Sequence, residues 1–380
     1  MDTLFRSVVP VAVWGLIALV ASAQPSDPPI VRGRVLDAET NEPLPHTHVF
    51  VAQSMNGTVT DSTGRFRLDA VHPGAKQLYL SRVGYANRAV PLRPTPGRTQ
   101  VFTLRLEPEV LETPSVTVSA ERDEDWYERL DRFKRLLIGP SGYADDCTLV
   151  NPEVLRFEKK WWGKFEVQAE KPLIIENRAL GYRLKYFLKE FEERGSVVRW
   201  DGEPLFEPLS PEDSLEAARW QQNRREVYRG SLRHFLEALL HDRLDEEQFD
   251  LYRLPRASAF RHTSRADRFP TSRNRILEPS PDSTHHLSVN GRLEVIYRGA
   301  PESKAYLEWA ELSRRRAPRE YQTSQIKLNQ SAVHVDPHGE IVEPYGATLY
   351  QYFAFTTRLA TLLPREYEPP NASTFSPGPR

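Results

Sequence analysis

A heptad at residues 60–66, TDSTGRF, constrains most strongly how this chain can fold. Asp61 can accept hydrogen bonds from the backbone that follows it, and Gly64 can adopt the positive φ of a tight turn. Alternating apolar residues stand on both sides, at residues 49–52 before the heptad and from Phe66 onward after it. The heptad is therefore predicted to be a turn between two short strands, with Asp61 as a turn former and not a catalytic residue.

The region around the heptad has the pattern of a small β-sandwich. Between residues 30 and 106, further short apolar runs alternate with clusters of Pro, Gly, Asn and Asp. Short strands at regular spacing with turn residues between them are typical of two packed antiparallel sheets. We therefore predict an all-β sandwich as the first domain.

An ordered series of short motifs in this region resembles the carboxypeptidase regulatory-like domain. The resemblance covers about residues 30–107 and implies a transthyretin-like sandwich that has no catalytic activity of its own. In that family the module accompanies carboxypeptidases, and it precedes many outer-membrane transporters of the Bacteroidota type, so its name does not indicate peptidase activity here. The motifs are GRV at 33–35, EPLP at 42–45, VFV at 49–51, the heptad at 60–66 and VGY at 83–85.

Length and charge exclude some classes of protein. The 380-residue chain carries a formal net charge of −1 at pH 7, with Arg interleaved among Glu and Asp. Without an overall positive field, we expect no nucleic-acid partner. The length predicts about two or three domains. An apolar content of 39% is low for a membrane protein.

Residues 1–23 have the pattern of a signal peptide. Arg6 precedes an apolar run at residues 8–20, and the small residues ASA at 21–23 resemble a cleavage site. We therefore expect export to the periplasm, to the outer membrane surface or out of the cell, with no spanning segment after cleavage. An uncleaved anchor is the alternative, but the apolar run is short for a spanning helix.

Cys147 is the only cysteine in the chain. A single cysteine excludes an internal disulfide and a zinc site built from cysteines. We predict a buried small side chain at this position, and not a nucleophile.

Beyond the sandwich, we predict a linker at residues 108–124, an α+β domain at 125–365 and a disordered tail at 366–380. Three stretches of the α+β domain resemble exported Bacteroidota-type proteins recognised only by their regulatory-like domain, which implies no established activity. These stretches are NPEVL at 151–155, ENRALGY at 176–182 and GSLRHFL at 230–236. The domain opens with a predicted helix whose apolar face carries Trp126, Leu130, Phe133 and Leu137.

Turn and cap residues divide the α+β domain into elements. We predict paired strands at 182–191 and 197–200 with a hairpin-type turn at Asp201-Gly202, and a second hairpin at Asn290-Gly291. Ser210 is the predicted cap of a helical region that Gly230-Ser231 divides into two helices. We also predict a long loop at 255–283 and a final amphipathic helix at 350–363.

His234, Glu237 and His241 form the pattern that most suggests an enzyme. They share one face of a helix, and His and Glu side chains can hold zinc. The two histidines would stand about 10 Å apart along a regular helix, however, and the chain has no HExxH motif. We therefore predict no metal and no other cofactor, with a metal-dependent hydrolase that uses these residues as the alternative.

Two further histidine pairs could capture a metal weakly. His46 and His48 are predicted on the same face of an edge strand, and His285-His286 is predicted as a loop pair. Such pairs are more often polar decoration of the surface.

Trp220, Arg224 and Tyr228 are the candidate binding residues. They are spaced i, i+4 and i+8 on one helical stripe, where the arginine could stack between the aromatic rings. The functional interpretation is a surface that binds a carbohydrate or a protein. The alternative is a helix docked on a sheet, with the arginine paired to a carboxylate. Trp161-Trp162 is a further conspicuous aromatic feature.

We predict an exported, multidomain, non-enzymatic protein, with a transthyretin-like sandwich followed by an α+β domain. Its expected role is binding or scaffolding at the cell envelope, with an envelope protein or a glycan as partner. Pairing through exposed sheet edges is one mechanism for this. A fragment of an envelope transporter is disfavoured, because no long series of about 10-residue lipid-facing strands follows residue 125.

Overall fold

The computed structural model describes residues 27–71, 77–109, 124–159, 163–195, 197–255, 268–281 and 284–370. Several sequence predictions lie outside these residues. They are the signal peptide, most of the linker, the Trp161-Trp162 pair and the last ten residues of the tail, 371–380.

The first unit, called the sandwich below, consists of two sheets with a shared core. Inward-facing side chains of both sheets form one hydrophobic cluster. The strand orders are β4-β1-β7 and β3-β2-β5-β6. Most pairs are antiparallel as predicted, but β1 and β7 run parallel, which the sequence did not indicate. The strands are β1 (Ile30–Asp37), β2 (His48–Val51), β3 (Gly57–Val59), β4 (Arg65–Leu68), β5 (Gln77–Ser81), β6 (Arg88–Pro91) and β7 (Thr99–Leu106).

The heptad forms the predicted turn before β4. The Asp61 carboxylate accepts hydrogen bonds from the backbone N–H of Arg65 at 2.9 Å and of Thr63 at 2.8 Å, which lowers its pKa. Gly64 has a φ of +73°, and a Cβ there would stand 2.5 Å from the carbonyl oxygen of Val35. Glycine is therefore required both for its conformation and for the close approach to β1.

The second unit, called the middle unit, packs two helices on a six-stranded sheet. Its core includes Leu130, Phe133 and Leu137 of the first helix, the buried face that the sequence predicted. The sheet order is β8-β11-β12-β10-β9, with β13 also paired to β12. The elements are α1 (Glu124–Leu137), β8 (Cys147–Leu149), β9 (Leu155–Lys159), β10 (Phe165–Ala169), β11 (Leu173–Asn177), β12 (Tyr182–Arg194), β13 (Val197–Pro208) and α2 (Ser214–Tyr228).

The predicted turn at Asp201-Gly202 is wrong. Both residues lie inside β13, which pairs with β12 along its length, and the turn between the two strands contains Gly195 with a φ of +62°. Gly202 serves close packing instead, since a Cβ there would stand 2.7 Å from the ring of Tyr186. Gly202 was thus recognised as a position that requires glycine, but the reason is close packing inside a strand and not a turn.

The helical region begins later than predicted and is divided where predicted. Asp213, and not Ser210, caps α2 by accepting a hydrogen bond from the N–H of Glu216 at 2.8 Å. Gly230 has a φ of +71° and ends this helix, and Ser231 caps the next one. An N-terminal cap thus restarts the helix directly after the glycine.

The third unit surrounds a separate hydrophobic cluster with two sheets and short helices. Residues 125–365, predicted as one domain, therefore contain two large and separate clusters, with a smaller one around Tyr306 and Tyr352. The sheet orders are β15-β14-β18-β19-β21 and β16-β17-β20. The elements are α3 (Leu232–Leu240), β14 (Phe249–Leu254), β15 (Phe269–Pro270), β16 (Leu277–Pro279), β17 (His285–Leu287), β18 (Arg292–Tyr297), α4 (Lys304–Trp309), β19 (Gln322–Leu328), β20 (Val333–Val335), β21 (Ala347–Gln351) and α5 (Tyr352–Thr356).

Three predictions for the third unit are wrong. The described part of the predicted loop at 255–283 contains β15 and β16. The bend at Asn290-Gly291 joins β17 to β18, which belong to different sheets and do not form a hairpin. The predicted helix at 350–363 is interrupted, because β21 pairs with β19 and Gln351 has a φ of 59° between strand and helix. In each case pairing with distant strands overrides the local pattern.

In the part of the chain that the structure describes, no helix is both long and apolar enough to cross a membrane.

Candidate functional site

The three units meet at one place, and an aromatic cluster holds the sandwich there. Phe50 and Tyr79 of the sandwich pack against Phe187 and Leu205 of the middle unit, and all four side chains are buried. The rings of Phe50 and Phe187 are stacked with centroids 4.6 Å apart. Large apolar side chains thus cover the sheet face of the sandwich that would otherwise meet water.

Backbone hydrogen bonds extend this contact. The N–H of Gln53 donates to the carbonyl of Pro204 at 3.0 Å, and the N–H of Phe206 donates to the carbonyl of Ser54 at 2.9 Å. Ser54 and Leu205 thereby form a parallel bridge between the two units. Because paired backbone groups fix direction and spacing, the sandwich is held in register with β13.

Arg365 ties the carboxyl-terminal segment, residues 357–370, to the sandwich and the third unit. Its backbone N–H donates to the carbonyl of Gln53 at 2.9 Å. Its guanidinium contacts the carboxylates of Asp336 at 3.1 Å and Glu340 at 2.5 Å. The arginine side chain is 14% exposed and that of Asp336 only 3%. Each buried charge is therefore stabilised by its partner, and loss of one would leave the other unpaired.

Arg233 fixes the same segment from α3. Its guanidinium donates to the carbonyls of Pro364, Arg365 and Tyr367 at 2.9, 3.1 and 3.0 Å. The backbone N–H of Met55 also donates to the carboxylate of Glu366. The sequence assigned residues 366–370 to a disordered tail. The structure describes these residues, and Glu366 and Tyr367 make contacts at the junction.

A cavity of about 180 Å³, called the junction cavity, lies between these contacts. Aromatic and apolar side chains share its wall with an amide and two carboxyl groups, the mixture typical of small-ligand sites. The sandwich contributes Gln53, the middle unit Trp200, and the third unit Glu340. The other lining residues are Tyr186, Asp201, Gly202, Pro204, Phe206, Leu359, Leu362 and Leu363.

Burial changes the acid–base properties of this wall. It raises the pKa of Glu340, an effect that the guanidinium of Arg365 partly offsets. It also raises the pKa of Tyr186 well above its ordinary value, so that the phenol keeps its proton. Both groups can therefore act as hydrogen-bond partners for a neutral polar ligand.

Arg358 stacks on Trp200 next to the cavity. Its guanidinium carbon lies 4.6 Å from the centroid of the tryptophan ring. Burial lowers its pKa to about 10, and its Nε has no hydrogen-bond partner among the described residues. A guanidinium on the ring orients the tryptophan that lines the cavity.

The structure places Trp220 and Arg224 between α2 and the sheet, and Tyr228 at the end of α2 against α3. Trp220 is 3% exposed and donates from Nε1 to the carbonyl of Arg178 at 2.6 Å. Arg224 donates to the carbonyl of Leu180 at 2.7 Å and lies over the ring of Tyr182. This is the geometry of a helix docked on a sheet, although carbonyl groups and a ring replace the expected carboxylate.

Tyr228 is also engaged within the protein. It donates to the carboxylate of Glu237 at 2.6 Å and is 6% exposed. Burial, together with the charge of Glu237, raises its pKa. A binding role for the three-residue stripe stays a prediction.

His234, Glu237 and His241 have separate partners. His234 accepts from the N–H of Gly230 at 3.0 Å and pairs with Glu247 at 3.1 Å, which lowers the pKa of Glu247. Nδ1 of His241 donates to the carbonyl of Glu237 at 2.8 Å. Over the described ranges, no three His, Cys, Asp or Glu side chains are grouped to hold a metal ion.

The other histidine pairs are placed differently from the predictions. β2 begins at His48 and lies between β3 and β5, so it is not an edge strand, and His46 precedes it with a φ of 58°. The ring of His48 packs edge-on against Phe187 instead. His285 and His286 belong to β17 and not to a loop, and the register sets His286 opposite His334.

Sequence reasoning missed the residues of the junction. Trp200 was visible only as an aromatic residue in a predicted strand, and Glu340 only as a polar residue after a predicted turn. No local pattern indicated that the two residues lie close together. The clearest signal was Gly202, because a glycine inside a strand often marks close packing. Here it marks the part of the cavity wall that packs against Tyr186.

A family model for the CarboxypepD_reg-like domain matches residues 31–118. These residues are thus a carboxypeptidase regulatory-like domain, as the motifs predicted, and a mixed α/β region with several sheets follows them. A search of curated proteins finds no match.

Solved structures offer distant likenesses. A cohesin–X-dockerin complex from Acetivibrio cellulolyticus is 17% identical, with a TM-score of 0.20, over 27% of this chain and 72% of that chain. A putative carbohydrate binding protein from Bacteroides uniformis is 11% identical, with a TM-score of 0.18, over 47% of this chain and 98% of that one. At such scores neither likeness carries an argument about function.

Proposed function

We propose that this protein is an exported, non-catalytic binding protein of the cell envelope, of the Bacteroidota type, and that it binds a saccharide unit of a glycan in the junction cavity. The regulatory-like domain serves as a fixed part of the binding wall. It does not regulate a peptidase.

The observation that carries the proposal is the composition of the cavity wall. Gln53, Trp200 and Glu340 come from the three different units, and the wall exists only when these units are docked. Sugars present apolar C–H faces to aromatic rings and hydroxyl groups to amides and carboxyl groups. The volume of about 180 Å³ suits one sugar unit better than a folded partner.

The contacts that join the three units support binding over catalysis. Arg233, Arg365 and the aromatic cluster hold the wall in place before any ligand arrives, which reduces the ordering cost of binding. Glu340 pairs with Arg365, and Asp201 lies 3.5 Å from the ammonium group of Lys189. Both carboxylates are thus held in position by cations, where their oxygens can accept hydrogen bonds from sugar hydroxyls.

The test is a binding screen of the mature chain against envelope polysaccharides and their oligosaccharides, followed by calorimetry on each hit. We expect Trp200→Ala to weaken binding about tenfold, the effect of losing one stacked ring. Leu215→Ala is the matched control, because this side chain is 78% exposed on α2, and its binding should equal that of the wild type.

Mass analysis of the bound glycan separates binding from catalysis. An unchanged glycan supports the proposal, whereas release of shorter fragments would overturn it in favour of a hydrolase. If no saccharide binds, the proposal fails. A crosslinking pull-down from fractionated source cells would then test the scaffolding role with an envelope protein.

A further inference from the structure

Three polar residues form a row across the sheet β16-β17-β20. The strand registers pair Glu278 with His286, and His286 with His334. Directly opposite residues of antiparallel strands have side chains on the same face, with Cβ atoms about 5 Å apart. The fold thereby brings together two histidines that lie far apart in the sequence.

The row lies on the sheet face that points away from the core. Successive side chains of a strand point to opposite faces. Leu277, Leu287, Val333 and Val335, which flank the row, are buried in the cluster of the third unit. Both histidines are therefore partly accessible from the outer face, and the side chain of His334 is 38% exposed.

The two imidazole rings are close enough to share an ion. Their centroids lie 4.3 Å apart, with the planes inclined by 72°. A shared ion would require one nitrogen from each ring at the Zn–N distance of about 2.0–2.1 Å.

Glu343 fixes the tautomer that such a site needs. One carboxylate oxygen accepts from Nδ1 of His334 and the other accepts from its backbone N–H at 2.8 Å. In the neutral ring, Nδ1 therefore carries the proton that the carboxylate accepts, which leaves the lone pair of Nε2 for a metal ion. A carboxylate that holds the second nitrogen of a ligating histidine is a recurrent feature of metal sites.

We propose that His286 and His334 bind one divalent transition-metal ion such as Zn²⁺, with Glu343 as the positioning residue and solvent completing the coordination. The ion would link β17 to β20 on the outer face of the third unit. The site is distinct from the junction cavity and does not depend on the function proposed for it.

The test uses the mature chain carrying a tag without histidine, with zinc chloride as the probe. Equilibrium dialysis with metal analysis at neutral pH should find one Zn²⁺ per chain. His286→Ala and His334→Ala should each abolish this binding. Glu343→Gln should weaken it about 10–100-fold, the usual effect of replacing a group that positions a ligand.

His46→Asn is the matched control. His46 is exposed in the left-handed region, which asparagine tolerates, so this variant should bind zinc as the wild type does. Circular dichroism without metal establishes that each variant is folded. Absence of one bound Zn²⁺ in the wild type, or binding that survives both alanine variants, would overturn the proposal. The proposal would also be overturned if zinc binding were lost only when His234 is replaced, because the metal would then lie on α3.

Discussion

Phe50 of the sandwich stacks on Phe187 of the middle unit, with ring centroids 4.6 Å apart and planes inclined by 26°. Phe50 is fully buried, although it lies on the face of β2 that does not belong to the core of the sandwich. The regulatory-like domain therefore has two buried faces, one for its own fold and one for docking.

Removing the stacked ring should destabilise the protein. Phe187→Ala leaves a cavity beside Phe50 and Tyr79, and burial of this kind typically contributes about 3–5 kcal/mol. Urea unfolding followed by circular dichroism measures the loss. Val101→Ala, at a side chain that is 66% exposed, should change the free energy of unfolding by less than about 0.5 kcal/mol. Equal effects of the two variants would contradict the buried contact.

Arg365 should be needed for stability more than an arginine at the surface. Arg365→Met leaves the carboxylates of Asp336 and Glu340 without their shared guanidinium, which should cost about 3 kcal/mol. Arg243→Met removes a partly exposed pair with Glu247, which keeps its contact with His234, and should cost less than about 1 kcal/mol. The midpoints of denaturant unfolding compare the two variants. An unchanged midpoint for Arg365→Met would show that the ion pairs of Arg365 do not stabilise the carboxyl-terminal segment.

Acid should weaken the docking of the sandwich through His48. Burial, together with the charge of Lys185, lowers the pKa of His48 in the folded state, so the unfolded chain binds the proton more readily. Stability contributed by neutral His48 is present above the ordinary pKa of about 6.5 and is lost as the pH falls below it. Between about pH 7.5 and 5.5, the free energy of unfolding of the wild type should therefore fall more than that of His48→Gln. His46→Gln should behave as the wild type, and equal slopes for all three would refute the assignment.

A glycine pair tests whether α2 is docked through Trp220. A Cβ at Gly181 would stand 2.2 Å from the Trp220 ring, whereas nothing lies within 4 Å of a Cβ at Gly195, and both glycines have positive φ. Gly195→Ala should cost about 1–2 kcal/mol for its backbone conformation alone. Gly181→Ala should cost roughly 1–3 kcal/mol more, because it also overpacks the core. Thermal unfolding measures both, and equal losses would mean that the tryptophan can leave the sheet.

Cys147 should be unreactive in the folded protein. Burial, with smaller effects from Asp146 and Asp145, raises its pKa to about 12. The thiolate is the reactive form, so at pH 8 its population falls by about a thousandfold relative to a thiol with the reference pKa of 9.0. A thiol reagent should label the native chain much more slowly than the chain in urea. Rapid labelling of the native protein would instead indicate a reactive cysteine.

The local sequence was sufficient where a structure depends on neighbouring residues. The turn at Asp61 and Gly64, the buried face of α1 and the break at Gly230 were all predicted, since turn chemistry and helical period act within a few residues. The motifs that resemble the regulatory-like domain were also sufficient to identify it, because they occur in order along one short stretch.

Pairing between strands that are distant in the sequence decided the elements that were predicted wrongly. Gly202 looked like a turn but lies in a long strand against Tyr186, and the helical pattern after Tyr350 gave way to pairing between β21 and β19. The stripe of Trp220, Arg224 and Tyr228 was visible in the sequence, yet only the tertiary structure shows that the first two contact the chain's own sheet and the third contacts α3.

The sequence by itself determined the sandwich and the main helices, because these depend on local conformation and on motifs within one segment. Only the tertiary structure decided which histidines meet and where a cavity forms. His286 and His334, like Gln53 and Glu340, are brought together by strand register and by the docking of units. These depend on shape complementarity between surfaces that are distant along the chain, which no local pattern encodes.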